Sequence, residues 1–455
     1  MNKKFLTIIK VAIGIILIAG LTTACSNSIN VQGVDEENYS TPEKQLAYLT
    51  DKYGASMRDS LLFNVKGATN FYVNVTTAST TKQEYSLSYD ATVLKAYNDK
   101  NKTNYQALPE DLVTIEGTPV VEAGDIKSNP ISVKYNTANN LEKNGIYAIP
   151  LRLNSAQNQI SKEKGEFVLF VQDITKMPNC HKHNGLQVIS CMEINDSNPL
   201  YNLCFTLQGT GQYFFDQVIL FSGNINYNLE TQEVYNYNNE NISHVLQYKE
   251  KYLEPLQQKG MKVILGILGN HDRAAITNLS VEGCKHFAQE LKAKVEAYNL
   301  DGVFFDDEYS NTGGSYPGFV SGGNASRLCY ETKKAMPNKL VQVYVYGGTT
   351  NLYSVEGKQP GEFVDCGIHD YGGTSDLSNN YPGMPKSGMF LGSVECARNY
   401  ASPSSVYDRI KSEGYGGTMV FGLDPKRTPL EVLNRISQAF YGANVVQTGI
   451  YRKDW

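Results

Sequence analysis

Tryptophan is almost missing from this 455-residue chain, and the single one, Trp455, is the last residue, so no tryptophan stack lines a cleft. Basic tracts are missing too. Lys and Arg number 41 against 46 Asp and Glu, the net charge is −5 and the pI about 5.8, which excludes the electrostatic footprint of a nucleic-acid binder. Cysteine is sparse. Seven follow Cys25, at Cys180, Cys191, Cys204, Cys284, Cys329, Cys366 and Cys396. An odd number scattered through apolar runs argues against a disulfide framework and for small core residues. Cys180-His181-Lys182-His183 has no second ligand group nearby and reads as a boundary loop, not a metal site. Tyrosine is plentiful at 31, which suits sugar stacking and plain β-structure equally.

The apolar run Val11 to Leu21 is too short to span a bilayer as a permanent helix. Lys3, Lys4 and Lys10 precede it and Thr22-Thr23-Ala24-Cys25 follows, so residues 1–25 read as an export signal. The small residues before a lone cysteine resemble a bacterial lipobox. That predicts lipidation of Cys25, a membrane anchor through that lipid, and a place on the outer membrane or cell surface. Leu21 lies four residues before the cysteine where three is usual, so cleavage without lipid attachment is the alternative. Residues 26–40 are polar and read as a tether.

The length implies two or three domains. Residues 41–178 predict an all-β sandwich. Phe71–Val75, Ile131–Tyr135 and Phe167–Val171 have strand length and pattern, with turn clusters at 98–101 and 136–140 and a short helix over Glu43–Leu49. The stretch from Leu108 to Leu153 resembles the N-terminal sandwich of outer-membrane glycan-handling lipoproteins. Spacing, glycan contact or a purely structural role all fit it.

From residue 179 strands alternate with helices. Strand candidates are 186–194, 216–221, 261–268, 300–308, 339–346, 362–370, 387–393 and 415–422, and helices run through 241–259, 281–298, 403–413 and 429–441. Eight strands in about 270 residues predict an α/β fold, a (β/α)8 barrel over 179–455, with outer helices missing after the fifth and sixth strands.

Leu300-Asp301-Gly302-Val303-Phe304-Phe305-Asp306-Asp307-Glu308-Tyr309 begins as a buried strand and ends in acids. Alternation puts Phe304, Asp306 and Glu308 on one side, with the two carboxylates roughly 6–7 Å apart along the strand. Acids at the C-terminal end of a parallel strand are where such a barrel keeps its chemistry.

This stretch resembles the DGxDxDxE signature of family 18 glycoside hydrolases, and within them the bacterial endo-β-N-acetylglucosaminidases that cut N-glycans. Val218–Tyr227, Pro255–His271, and Gly414–Gly417 with Leu423-Asp424 and Arg427-Thr428 resemble further segments of that group in the same order. The resemblance implies that Glu308 is the general acid. Asp306 would orient the substrate's 2-acetamido group, whose oxygen attacks C1 to give an oxazolinium ion. Tyr371 would meet the acetamido oxygen and Tyr344 would line the pocket. Asn224, Asn226, Asn270, His271 and Glu193 fall at strand ends, where they bind sugar hydroxyls or are ordinary loop residues. The scheme needs no metal or cofactor. It implies N-glycans as partner and a monomer, with a chitinase or a non-catalytic glycan binder on the same barrel as alternatives. One position departs from the signature: Phe304 stands where the family has an acid. Without that partner, Asp306 is expected to be ionised in the free protein and held by hydrogen bonds.

Overall fold

The computed structural model describes residues 45–54, 59–62, 66–136, 142, 145–314, 317–399 and 401–455. Cys25, the export signal, the tether and the expected turn at 137–140 lie outside them.

The N-terminal part is two layers of sheet. Ala47–Asp51, Lys66–Val75, Ile131–Asn136 and Val113–Glu116 form an antiparallel four-stranded sheet in that order. Asp59–Leu62, Glu166–Gln172, Ile146–Asn154, Ser86–Tyr89 and Gln106–Ala107 form the second. Leu49, Phe71 and Val133 of the first face Leu151, Phe167 and Leu169 of the second in one buried cluster, with the Phe71 and Phe167 rings edge to face at 4.9 Å. Two local expectations fail. Ala47–Asp51 is an edge strand, not part of a helix, and its alternating burial has the period of two that strands require. Asn98–Asn101 is not a turn but the end of a helix, Ala91–Asn101, begun by Asp90 accepting from the Thr92 N–H and closed by Lys102 in the left-handed region.

The barrel strands are Gln187–Glu193, Gln217–Asn228, Lys262–Gly269, Gly302–Asp306, Leu340–Val345, Cys366–His369, Met389–Phe390 and Gly417–Phe421. All are parallel, and the eighth pairs back to the first, so the sheet closes. Three expected helices stand at Val281–Ala297, Ser404–Glu413 and Leu430–Tyr441. The fourth is broken into Glu240–Gln247, Lys249–Tyr252 and Glu254–Gln258, with Pro255 opening the last piece. A helix after the fourth strand, Gly322–Ala335, was not anticipated. Its paired glycines are poor helix formers, but Ser321 caps it and Ala325, Leu328 and Cys329 bury one face. Among the described residues only Pro360–Phe363 is α-helical between the fifth and seventh strands, so the outer ring is thin there.

Inside the barrel, Ile189, Ile219, Ile264, Phe304, Ile368 and Met419 pack together. Above them five rings close a circuit: Phe221 to Phe304 at 6.5 Å, on to Tyr344 at 6.3 Å, Tyr371 at 6.2 Å, Phe421 at 6.3 Å and back to Phe221 at 5.6 Å. The outer core does not stop at the barrel. Ala148, Val168 and Phe170 lie on the opposite face of sandwich strands and join it, which is why those strands are apolar in unbroken runs. A buried polar seam accompanies this contact: the Lys251 ammonium sits 2.5 Å from Asp454 and 3.8 Å from Asp51, and the Tyr252 hydroxyl donates to Asp454 at 2.8 Å. A cavity of about 780 Å³ opens at the same junction, lined by Tyr97, Tyr105, Phe170 and Arg452 among others; the acids at the barrel mouth are not among its walls.

Candidate active site

Gly302–Asp306 is buried throughout and ends where Asp306 pairs with Leu268 of the third strand. Phe304 is 1% exposed in the barrel interior, and Asp306, two residues on, points the same way at 5% exposed. Glu308 lies past the strand end and is half-buried.

Burial pushes the Asp306 carboxyl well above the usual carboxylate range, and the nearby acids Glu308, Asp307 and Asp370 push it further. Its Oδ1 has no hydrogen-bond partner among the described residues. These shifts run against the expectation of an ionised Asp306 held by hydrogen bonds. Phe304 removes one neighbouring acid, but it puts an apolar ring there, and three other carboxyls remain. Glu308 is raised as well, by burial first and then by Asp370 and Asp307.

Asp370, just past the sixth strand, organises the far wall. Its Oδ1 accepts from the Tyr344 hydroxyl at 2.5 Å and from the Tyr371 N–H at 2.6 Å. Tyr371 is half-buried and Tyr344 is 5% exposed. Asp307 faces the other way. Burial raises the Asp307 carboxyl; the Thr277 hydroxyl, which meets both its oxygens at 3.0 and 3.1 Å, and backbone bonds from Gly348, Thr277 and Ile276 offset only part of that. Asp307 thereby ties the loops after the third and fifth strands.

Glu193, Asn270 and His271 sit at or just past strand ends; Asn224 and Asn226 instead lie within the long second strand, which runs on to Asn228 and pairs there with Glu233–Tyr237. Asn270 donates to Asn226 at 3.3 Å. Asn224 is buried and donates to the Leu268 carbonyl at 3.3 Å. His271 is exposed, in the left-handed region at φ 54°, and its N–H donates to the Tyr309 carbonyl at 2.9 Å. Glu193 is half-buried, its carboxyl raised chiefly by burial, and it accepts from the Asn195 side chain at 2.7 Å. Direct contact joins Tyr344, Asp370 and Tyr371 into one group beside the acids and pairs Asn226 with Asn270; Glu193 is turned to its own loop. Sequence reasoning passed over Asp370 and Asp307, although adjacency to Tyr371 and to the two motif acids was a readable signal for each. Among the described residues no three His, Cys, Asp or Glu side chains are arranged to hold a metal.

Endo-beta-N-acetylglucosaminidase F1 of Elizabethkingia meningoseptica is 49% identical to this chain over 281 residues, spanning 60% of this chain and 83% of that protein. The chain belongs to the endo-β-N-acetylglucosaminidases. A second member of these glycoside hydrolases, from Flavobacterium sp. (strain SK1022), is 31% identical over 57% of this chain and 82% of its own. The solved structure of EndoBT-3987 from Bacteroides thetaiotamicron, an enzyme crystallised with a Man5GlcNAc product, superposes with a TM-score of 0.57 at 32% identity, covering 90% of this chain and 97% of that one. A family model described as a "-like, N-terminal domain" matches residues 30–160. In this endo-β-N-acetylglucosaminidase, then, a closed barrel presents two carboxyls of raised pKa on an aromatic floor, with Asp370 and its tyrosines as one wall.

Proposed function

We propose that the chain hydrolyses the β-1,4 bond between the two core GlcNAc residues of N-glycans, with retention, through the substrate's own acetamido group. EndoBT-3987 supports this substrate: it has been solved with a Man9GlcNAc2Asn substrate and with a Man5GlcNAc product, which keeps one GlcNAc of two. The observation that carries the chemistry is Asp306 Oδ1, buried among acids and without a partner. A buried acceptor left unpaired is costly unless a ligand group completes it, and an acetamido N–H is such a group.

Glu308, raised in pKa, keeps its proton until it passes it to the glycosidic oxygen as the C1–O bond breaks. The acetamido oxygen bonds to C1, held by Asp306 at its N–H and by Tyr371 at the oxygen; water then attacks C1, breaking its bond to the acetamido oxygen, and gives its proton to Glu308 as carboxylate. Glu308→Gln keeps the shape and loses the proton. It is expected to lower kcat by roughly 10²–10⁴-fold while glycan binding, measured by calorimetry, stays within a few-fold. A loss under about tenfold assigns the acid role elsewhere.

A further inference from the structure

Two exposed tyrosines stand just past the ends of the fourth and fifth strands, at the rim that carries Glu308. Tyr309 follows it directly and is 59% exposed; Tyr346, just past the fifth strand, is 42% exposed. Tyr309 holds φ 65°, an uncommon conformation for a bulky residue, and is pinned there from the neighbouring loop. Its carbonyl accepts from His271, and its ring rests on the His271 imidazole with centroids 5.7 Å apart. Tyr346 stacks on the buried Tyr344 at 6.1 Å with 30° between the planes, so it continues outward the wall that Tyr344 and Tyr371 begin inside. The Glu308 carboxyl raises the Tyr309 phenol more than burial does, and Tyr346 is among the lesser contributors, so Tyr309 lies near both.

On the function proposed above, on which this inference rests, the sugar bearing the acetamido group lies inward, over Asp306 and Tyr371. Glu308 protonates the oxygen that leads away from it. The second GlcNAc, which stays on the asparagine, therefore lies outward of Glu308, where the two rings are. A pyranose presents an apolar C–H face that an aromatic ring covers well, and rings held in place by His271 and Tyr344 lose little freedom on doing so. We propose that Tyr309 and Tyr346 form the platform that binds the leaving GlcNAc.

The test compares two substrates: a Man5GlcNAc2 glycopeptide, and the oxazoline of Man5GlcNAc, which enters at the intermediate and has no leaving sugar. In the Tyr309→Ala/Tyr346→Ala double variant the ratio of kcat/KM for the glycopeptide to that for the oxazoline is expected to fall about tenfold, mostly through KM, the equivalent of one good contact. The corresponding Phe variants keep the rings and are expected to hold the ratio within about twofold. A ratio unchanged in the alanine variants, or both rates falling together, overturns the platform. Wild-type protein inert on the oxazoline but active on the glycopeptide overturns the substrate-assisted reading, and with it the inward placement on which the platform depends.

Discussion

Asp370 is the acid that the signature does not name, and it acts on its neighbours through charge. After burial, it contributes most to raising the Glu308 carboxyl. The acid form of Glu308 is the active one, so activity falls as pH rises through its pKa. Asp370→Asn keeps an oxygen for Tyr344 and for the Tyr371 N–H but removes the charge; the Glu308 pKa is expected to drop, and the alkaline limb of the kcat/KM profile to move to lower pH. An unmoved limb would take Asp370 out of the electrostatics of the acid. Glu308 and Asp306 were legible in the sequence because alternation along a strand is a local rule. The raised pKa of Asp306 was not, because it depends first on burial over an apolar floor that only the closed barrel assembles, and then on acids that include Asp370, 64 positions away.

At the scale of elements, the fourth strand carries the acids on one face and the scaffold's tie on the other. Asp307 gathers the Thr277 hydroxyl and three backbone N–H groups from loops of the third and fifth strands. Asp307→Ala leaves buried donors unpaired, and a loss of about 1–3 kcal/mol in denaturant unfolding is expected, with activity reduced because Glu308 stands on the same turn. An unchanged midpoint would show the loops to be held by other contacts. All eight barrel strands were readable, because apolar runs bounded by turn residues recur at even spacing. Gly322–Ala335 was not, since its glycines mask a helix that tertiary burial stabilises, and the Ala47–Asp51 strand depends on pairing with residues 71–75.

The sandwich keeps a core of its own, but the outward face of its second sheet joins the outer core of the barrel. Val168 and Phe170 pack with barrel residues, and Lys251 on the barrel answers Asp51 in the sandwich and Asp454 in the C-terminal segment. All the acids lie beyond residue 178, but the shared core predicts that a truncation of residues 26–178 exposes apolar surface and loses solubility. Lys251→Ala removes the buried ammonium from beside Asp51 and Asp454 and is expected to cost about 3–5 kcal/mol of global stability in one cooperative transition, not to release one domain alone. Separate melting of the two parts would contradict that coupling. The most direct test of the proposed chemistry as a whole is mass spectrometry of a defined Man5GlcNAc2 glycopeptide after digestion. The expected products are Man5GlcNAc and a peptide carrying a single GlcNAc; an intact glycopeptide, or a peptide stripped of both GlcNAc residues, would contradict it.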